Sequence, residues 1–272
     1  MLASASELCK NVSRHLLFVA EMLTSIPSMI NQHLSTALVM EDDSDWDTSL
    51  KDQLHLFSQG SQYVTAINRP STRPHSPYGD DWDLLWIGHC GSQMKSGDER
   101  RFVIENDKTV PAPERRVSFS DDIPDMQKEG LDNSTRIIYE ANNGLCTYAY
   151  ALSQRGARKL LRTQSNSKTF LPIDIGMGKM CKEDPNFKCV GVFPTIIDSH
   201  KGAGRVSKDS DIMLPKKDAE NTYREKGYTS NIVHSTRLNM DHLLLDHADD
   251  IERQYPEDPV VDGPARTRAL NR

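Results

Sequence analysis

The chain has 272 residues, 37% of them hydrophobic and 26% charged, with a formal net charge of −6. That is enough apolar content for one α/β domain with a sizeable core plus tails, and the negative balance, without a basic stripe carrying interleaved aromatics, argues against a nucleic-acid partner. The five cysteines (Cys9, Cys90, Cys146, Cys181, Cys189) are scattered and form no CxxC pair, so neither a zinc site nor a full disulfide framework is supported.

Residues 5–34 predict helix, because Leu8, Val12, Leu16, Val19 and Leu23 recur at spacings of three and four. Pro27 interrupts this pattern, and Ser28 to Leu34 forms a second helical piece. The most apolar stretch, Leu16 to Leu23, is eight residues long and contains Glu21. A membrane-spanning helix needs about 20 apolar residues, so no span is expected. The start also lacks the basic region and small-residue cleavage site of a good signal peptide.

Ala37-Leu-Val-Met40 reads as a buried strand of a parallel sheet. It runs into five carboxylates within seven positions: Glu41, Asp42, Asp43, Asp45 and Asp47. Carboxylates crowded at a strand's carboxyl end titrate upward unless a cation neutralises them. Open α/β sheets bind ligands just beyond those strand ends. The pattern therefore points to a hard divalent ion carrying a phosphorylated ligand; an acidic surface turn is an equally open reading. An EF-hand loop is excluded, since Thr48 stands where the sharp-turn glycine belongs and Leu54 where the bidentate glutamate belongs. The steps Asp45-Trp46-Asp47 and Asp81-Trp82-Asp83 do not recur at propeller spacing.

Ser49 to Ser58 predicts a helix with Leu50, Leu54 and Phe57 on one face and Ser49 as its cap. Residues 69–80, with three prolines and Gly79, form a loop. Asp83-Leu-Leu-Trp-Ile-Gly88 is the second buried strand. It ends in Gly88-His89-Cys90-Gly91, where glycine allows a close backbone approach; His89 there either lines a pocket or is a core or loop histidine. Trp82 and Trp86 read as core before they read as a sugar platform. Residues 92–135 are charged, poor in aliphatics and hold three prolines, so a long irregular loop is expected.

Arg136 to Tyr139 predicts a short strand and Thr147 to Leu152 a further one. Ser153 then caps a helix over Gln154 to Thr163 with Ala157, Leu160 and Leu161 inward. The helix start at Ser153, Arg155 and Gly156 suits anions, with plain capping the first reading. Lys188 to Phe193 is another strand, and Pro194-Thr-Ile-Ile-Asp198-Ser-His200 leads off its end. Cys181 and Cys189 either close a small loop around Pro185 or stay as two thiols. Met240 to His247 predicts a short docked helix, and from Asp249 the charged, proline-containing chain predicts a frayed tail. The triplets Asn11-Val-Ser13 and Asn133-Ser-Thr135 match the glycan acceptor pattern, which matters only in a secretory lumen.

Four segments, in this order, resemble glycosyltransferase family 25: Ala37-Leu-Val-Met-Glu-Asp-Asp43, Asp81-Trp-Asp-Leu-Leu-Trp-Ile-Gly88, Tyr150-Ala-Leu-Ser-Gln-Arg-Gly-Ala157 and Pro172-Ile-Asp174. Pro194-Thr-Ile-Ile-Asp-Ser-His-Lys201 and Ser207-Lys-Asp-Ser-Asp211 look family-like too, so the cover is about residues 30–215. That family includes lipopolysaccharide-type and procollagen galactosyltransferases, and the chain is most similar to its fungal branch.

The resemblance implies an α/β fold, with a GT-A-like mixed sheet flanked by helices. It implies one that is N-terminally incomplete, because the Leu-Pro-x-Arg-x-Asp-Arg-Arg strand of full-length members has no counterpart here. The organisation expected is a family-unlike helical segment over 1–30, the transferase domain over 31–215 with its irregular 92–135 insertion, and an extension over 216–272, disordered after about residue 249. The implied function is transfer of a hexose, galactose foremost, from a UDP-sugar to a hydroxyl of a glycan or glycoprotein, assisted by Mn²⁺ or Mg²⁺. The alternative is a truncated, inactive relative that binds a glycan or a protein.

By the family pattern Glu41, Asp42 and Asp43 form the acidic metal motif. Asp43 is the first choice as direct ligand and Asp45 the next, while Asp47 caps the following turn. Asp174 is the catalytic carboxylate, as general base or in acceptor binding. His200 is a further metal ligand or a turn-stabilising surface histidine. Gly88 and His89, at the end of their strand, are the candidates for binding the donor, with a core or loop histidine the equal alternative for His89. A secretory-pathway lumen is implied, with the cytoplasm left open by the absence of a good signal peptide.

Overall fold

The computed structural model describes residues 25–66, 74–95, 97–118, 126, 130–165, 171–209, 222–245 and 250–270. Most of the helix expected over residues 5–34, and Cys9, lie outside the described residues. Residues 25–31 are helical (α1), and Pro27 falls within that helix rather than interrupting it.

The chain continues through β1 (Thr36–Met40), β2 (Ser44–Trp46), α2 (Leu50–Thr65), β3 (Leu84–Gly88), β4 (Gly91–Met94), β5 (Arg101–Glu105), β6 (Arg136–Leu145) and β7 (Ala149–Ser153). Then follow α3 (Gln154–Ser165), α4 (Ile173–Glu183), β8 (Cys189–Phe193), β9 (Ile197–Lys201), β10 (Gly204–Arg205), β11 (Tyr223–Arg224), β12 (Tyr228–Thr229), α5 (Met240–Leu244) and β13 (Arg266–Leu270). The main sheet runs β1-β7-β3-β8-β6-β5-β13. β3 and β8 are parallel, and β7 runs antiparallel to both of its neighbours, β1 and β3.

β3 is the centre because all five of its residues are buried and their alternation feeds both faces. Leu84 and Trp86 meet Ile26 and Met29 of α1, Leu160 of α3 and Met177 of α4, while Leu85 and Ile87 meet Phe57 and Val64 of α2. The result is a mixed sheet with helices on both faces. α3 is fixed over the start of β3 by the buried Asp83 carboxylate, which accepts from Arg155 Nε (2.8 Å) and Lys159 Nζ (2.9 Å). Ser153 caps α3 as expected, its Oγ accepting from the Gly156 N–H at 3.0 Å. α2 starts where expected with Ser49 at its N-cap position, but the Ser49 side chain makes no capping hydrogen bond; instead Asp47 Oδ1 accepts from the Ser49 N–H at 2.9 Å. Trp82 and Trp86 are core residues.

Several expectations are corrected. β1 is not a buried parallel strand: it lies at the edge of the sheet path, pairs antiparallel with β7 and with no other strand among the described residues, and leaves Leu38 half exposed. Its run of apolar residues is continuous, with Ala37 and Val39 packed against the core on one face of the sheet and Met40 on the other. The 92–135 insertion is not wholly irregular, since β5 within it buries Phe102, Val103 and Ile104. Nor does the chain fray after residue 249, because β13 pairs with β5 along its whole length. Within the 216–272 extension, Asn231, Ile232, Val233, Ser235 and Asn239 are buried.

Two disulfides are present. Cys181–Cys189 is one of the two alternatives open in the sequence; Cys90–Cys146, which ties the start of β4 to the end of β6, is not anticipated there. Among the described residues no helix is long and apolar enough to cross a membrane.

Candidate functional site

At the end of β1 the backbone turns sharply. The Glu41 N–H donates to the Tyr148 carbonyl (3.1 Å), the Ser44 N–H to the Glu41 carbonyl (3.1 Å), and Ser44 Oγ to the Tyr148 carbonyl (2.6 Å). β2 then pairs antiparallel with β9, setting Ser44 opposite Ser199 and Asp45 opposite Asp198. The side chains of the acidic run then find partners in two separate neighbourhoods around the β2–β9 pair.

On one side, Asp43 Oδ2 accepts from Ser199 Oγ (2.5 Å) and stands 3.5 Å from Lys201 Nζ, which itself donates to Ser199 Oγ (2.5 Å). Asp43 Oδ1 is buried and has no hydrogen-bond partner among the described residues. Glu41 Oε1 accepts from Thr147 Oγ1 (2.5 Å). Burial is the main force raising the Glu41 pKa; Asp43 and Asp174 add to it, against the Thr147 hydrogen bond and Lys201. Asp174, in the first turn of α4, accepts from the Cys146 N–H (3.1 Å) and the Ile175 N–H (2.8 Å). Asp43, Asp174 and Lys201 are therefore all within electrostatic reach of Glu41.

Two tyrosines line this group. The Tyr150 hydroxyl is buried without a partner among the described residues, and burial together with Glu41 pushes its pKa up. Tyr148 is pushed up by burial and by Asp198, Glu41 and Asp43.

On the other side Asp45 is fully buried and fully committed. Its Oδ1 accepts from the N–H groups of Trp46 (2.9 Å) and Arg237 (3.1 Å), and its Oδ2 from Thr229 Oγ1 (2.5 Å) and Ser235 Oγ. His200 is on this side too, its Nδ1 2.8 Å from Thr229 Oγ1. Because that hydroxyl gives its only proton to Asp45, His200 Nδ1 carries the proton of their contact. Burial lowers the His200 pKa against the pull of Asp45. Asp47 likewise accepts from Ser49 and His234 N–H groups. Asp42 is exposed, and its carbonyl accepts from Arg237.

The expected ligand set thus does not converge: Glu41 and Asp43 share a site with Asp174, whereas Asp45 and His200 form a structural knot and Asp42 faces solvent. Among the described residues no group of three or more His, Cys, Asp or Glu side chains is arranged to hold a metal ion.

A Cβ on Gly88 would sit 2.5 Å from the Ala149 backbone nitrogen, so glycine serves the close approach of β3 and β7. His89 is buried, with Nε2 2.9 Å from the Val192 carbonyl, and burial lowers its pKa to about 4. The helix start at Ser153 and Arg155 lines a separate surface cavity of about 370 Å³ with His33, Ser35, Asp80 and Gln154.

Asp198 and Lys201 are functional candidates that sequence reasoning passes over in favour of His200. Asp198 is 5% exposed, and burial raises its pKa to about 7; hydrogen bonds from Asn231 Nδ2 (2.6 Å) and the Ser199 N–H (2.7 Å) and the charge of Lys201 oppose the rise. A carboxyl that titrates near neutrality is suited to acid–base work. The signal available in the sequence is an acidic residue directly beyond an apolar strand-like run, the same signal as at Glu41.

Compared with known proteins, the chain matches no protein-family model and no curated protein. The likeness to glycosyltransferase family 25 rests on the residues quoted for it.

Proposed function

We propose that the chain is a glycosyltransferase that moves a hexose, galactose foremost, from a UDP-sugar to a hydroxyl of a glycan or glycoprotein. The observation that carries the reading is the group formed by Glu41, Asp43, Asp174 and Lys201 at the carboxyl end of β1. A cluster of carboxylates repels a diphosphate, so the donor binds here only through cations. Lys201 is one such cation already against Asp43.

A divalent ion fits as a second. Such ions are commonly held by one or two carboxylates plus substrate phosphates rather than by an all-protein cage, and Asp43 keeps a buried oxygen with no partner among the described residues. Asp43 and Glu41 would hold it, and when bound it offsets the charge that grows on the departing diphosphate. Asp174, partly exposed at the start of α4, is assigned to the acceptor side, as general base or hydrogen-bond acceptor. The two disulfides support an oxidising compartment, in keeping with a secretory lumen.

A second reading, a non-catalytic relative that binds a glycan or a protein, is favoured by one observation: Asp45 and His200 are committed to each other's neighbourhood and leave the site with few ligands. Calorimetry with UDP-sugars, with and without Mn²⁺, separates the two. The transferase reading expects Mn²⁺-dependent micromolar binding that disappears in Asp43→Ala. A folded wild-type protein that binds no UDP-sugar in either condition sinks it and leaves the binding module.

A further inference from the structure

The turn that enters β6 holds the triplet Asn133-Ser134-Thr135, far from the carboxylates. Asp132 builds this turn. Its Oδ1 accepts from the Ser134 N–H (2.7 Å), from Ser134 Oγ (2.6 Å) and from Thr135 Oγ1 (3.1 Å). An aspartate bonded to the backbone two residues on is a turn-forming device in itself. Here it fixes the main chain around Asn133, whose carbonyl is also held by the Arg116 guanidinium, while Asn133 stays exposed.

Asn-Ser-Thr is the acceptor pattern for an N-linked glycan, which in a folded secreted protein belongs on a surface turn. The disulfides Cys90–Cys146 and Cys181–Cys189 belong to the same kind of compartment, since bridges of this kind persist where thiols are not kept reduced. We propose that Asn133 carries an N-linked glycan. The co-reactant is a lipid-diphosphate-linked oligosaccharide. The Asn133 Nδ2–C1 bond forms as the C1–O bond to the diphosphate breaks; the lipid diphosphate leaves with the electron pair, and Nδ2 gives up one proton to the base of the transferring enzyme.

The fold sets the order of events. The hydroxyl that the pattern requires belongs to Thr135, which is 0% exposed in the folded chain. The triplet is therefore readable only before β6 takes its place between β5 and β8. Once attached, the glycan stands on an exposed turn and displaces no packed group. From Arg136 to Leu145 the strand spans about 30 Å at ~3.3 Å per residue, so the glycan lies at the opposite end of β6 from Cys146 and Thr147, which contact Asp174 and Glu41. The proposal does not depend on the transferase reading.

The test uses the full chain purified from the cells that make it. The tryptic peptide spanning residues 129–136 is sequenced by mass spectrometry after enzymatic deglycosylation in heavy-oxygen water. The expected result is heavy aspartate at position 133, lost as a mobility step in Asn133→Gln and retained in Ser134→Ala, both changes lying on the exposed turn. Unlabelled asparagine at position 133 in the wild-type chain overturns the proposal, as does a mobility step that survives Asn133→Gln while no label is found there.

Discussion

Asp198 and His89 are both buried and both titratable, and burial moves them in opposite senses. Asp198 rises from its ordinary 3.8 to about 7, and His89 falls from 6.5 to about 4. Between pH 3.8 and 7 the folded state holds the Asp198 proton that the unfolded state has lost, so this group makes stability fall as pH rises through that window. Between pH 4 and 6.5 the unfolded state binds the His89 proton that the folded state refuses, so that group makes stability rise. Each slope is about 1.4 kcal/mol per pH unit, so the two offset one another in the wild type. Asp198→Asn removes the falling contribution alone. Urea unfolding at about pH 4.5 and 6.5 should show the variant gaining about 3 kcal/mol relative to wild type across that interval. His89→Gln should shift the other way, and curves parallel to wild type for both variants would contradict these protonation states. The same scale shows a limit of sequence reading. Asp43 and Asp45 are equivalent in an acidic run, yet the hydroxyls that occupy Asp45 come from residues 184 and 190 positions further on. No local pattern announces which aspartate a distant segment will claim.

Between elements, the Cys90–Cys146 bridge has the most leverage on the site. Cys146 donates its N–H to Asp174 and accepts at its carbonyl from Trp86 Nε1 (2.9 Å), while the next residue, Thr147, holds Glu41. The bridge closes a separation of 56 residues, against 8 for Cys181–Cys189. Loop-closure entropy then assigns about 4 kcal/mol to the first and about 2.5 kcal/mol to the second. Replacing each pair by serine should cost stability in that order in denaturant unfolding. On the proposed transferase reading, UDP-sugar binding should weaken only in the Cys90/Cys146 pair, because that bridge adjoins the residues that contact Glu41 and Asp174. Equal losses of binding in both variants would mean that global loosening, not the local turn, governs the site. Elements with a strong local signal (β3, β8 and the capped α3) are legible in the sequence. β5 is not, because Phe102-Val-Ile104 is a three-residue apolar core flanked by charges. β13 is still less so, since Arg266-Thr-Arg-Ala-Leu270 is mostly exposed and is a strand only because β5 offers it a free edge.

At the scale of the whole molecule, the sheet path ends in two strands of opposite character. β13 carries Arg266 and Arg268, and Arg268 Nε pairs with Glu105 at 2.7 Å. Charged side chains of this kind are the usual guard against edge-to-edge pairing. β1 has no such guard: Thr36-Ala-Leu-Val-Met40 contains neither a charge nor a proline, and Leu38 is 52% exposed. The apolar run that makes the segment legible as a strand also makes it look buried, because hydrophobicity reports what a strand tolerates and not which neighbours it has. One face of β1 packs through Ala37 and Val39, so a charge at Leu38 enters from the opposite face of the strand without emptying the core. Leu38→Lys should therefore leave the unfolding free energy within about 0.5 kcal/mol of wild type. It should at the same time reduce concentration-dependent association, read by sedimentation velocity across a range of protein concentrations. A wild type that stays monomeric throughout would show that the β1 edge is not adhesive. Association that is unchanged by the lysine would place the contact elsewhere on the surface. A loss of association without a loss of stability would identify β1 as the unguarded edge.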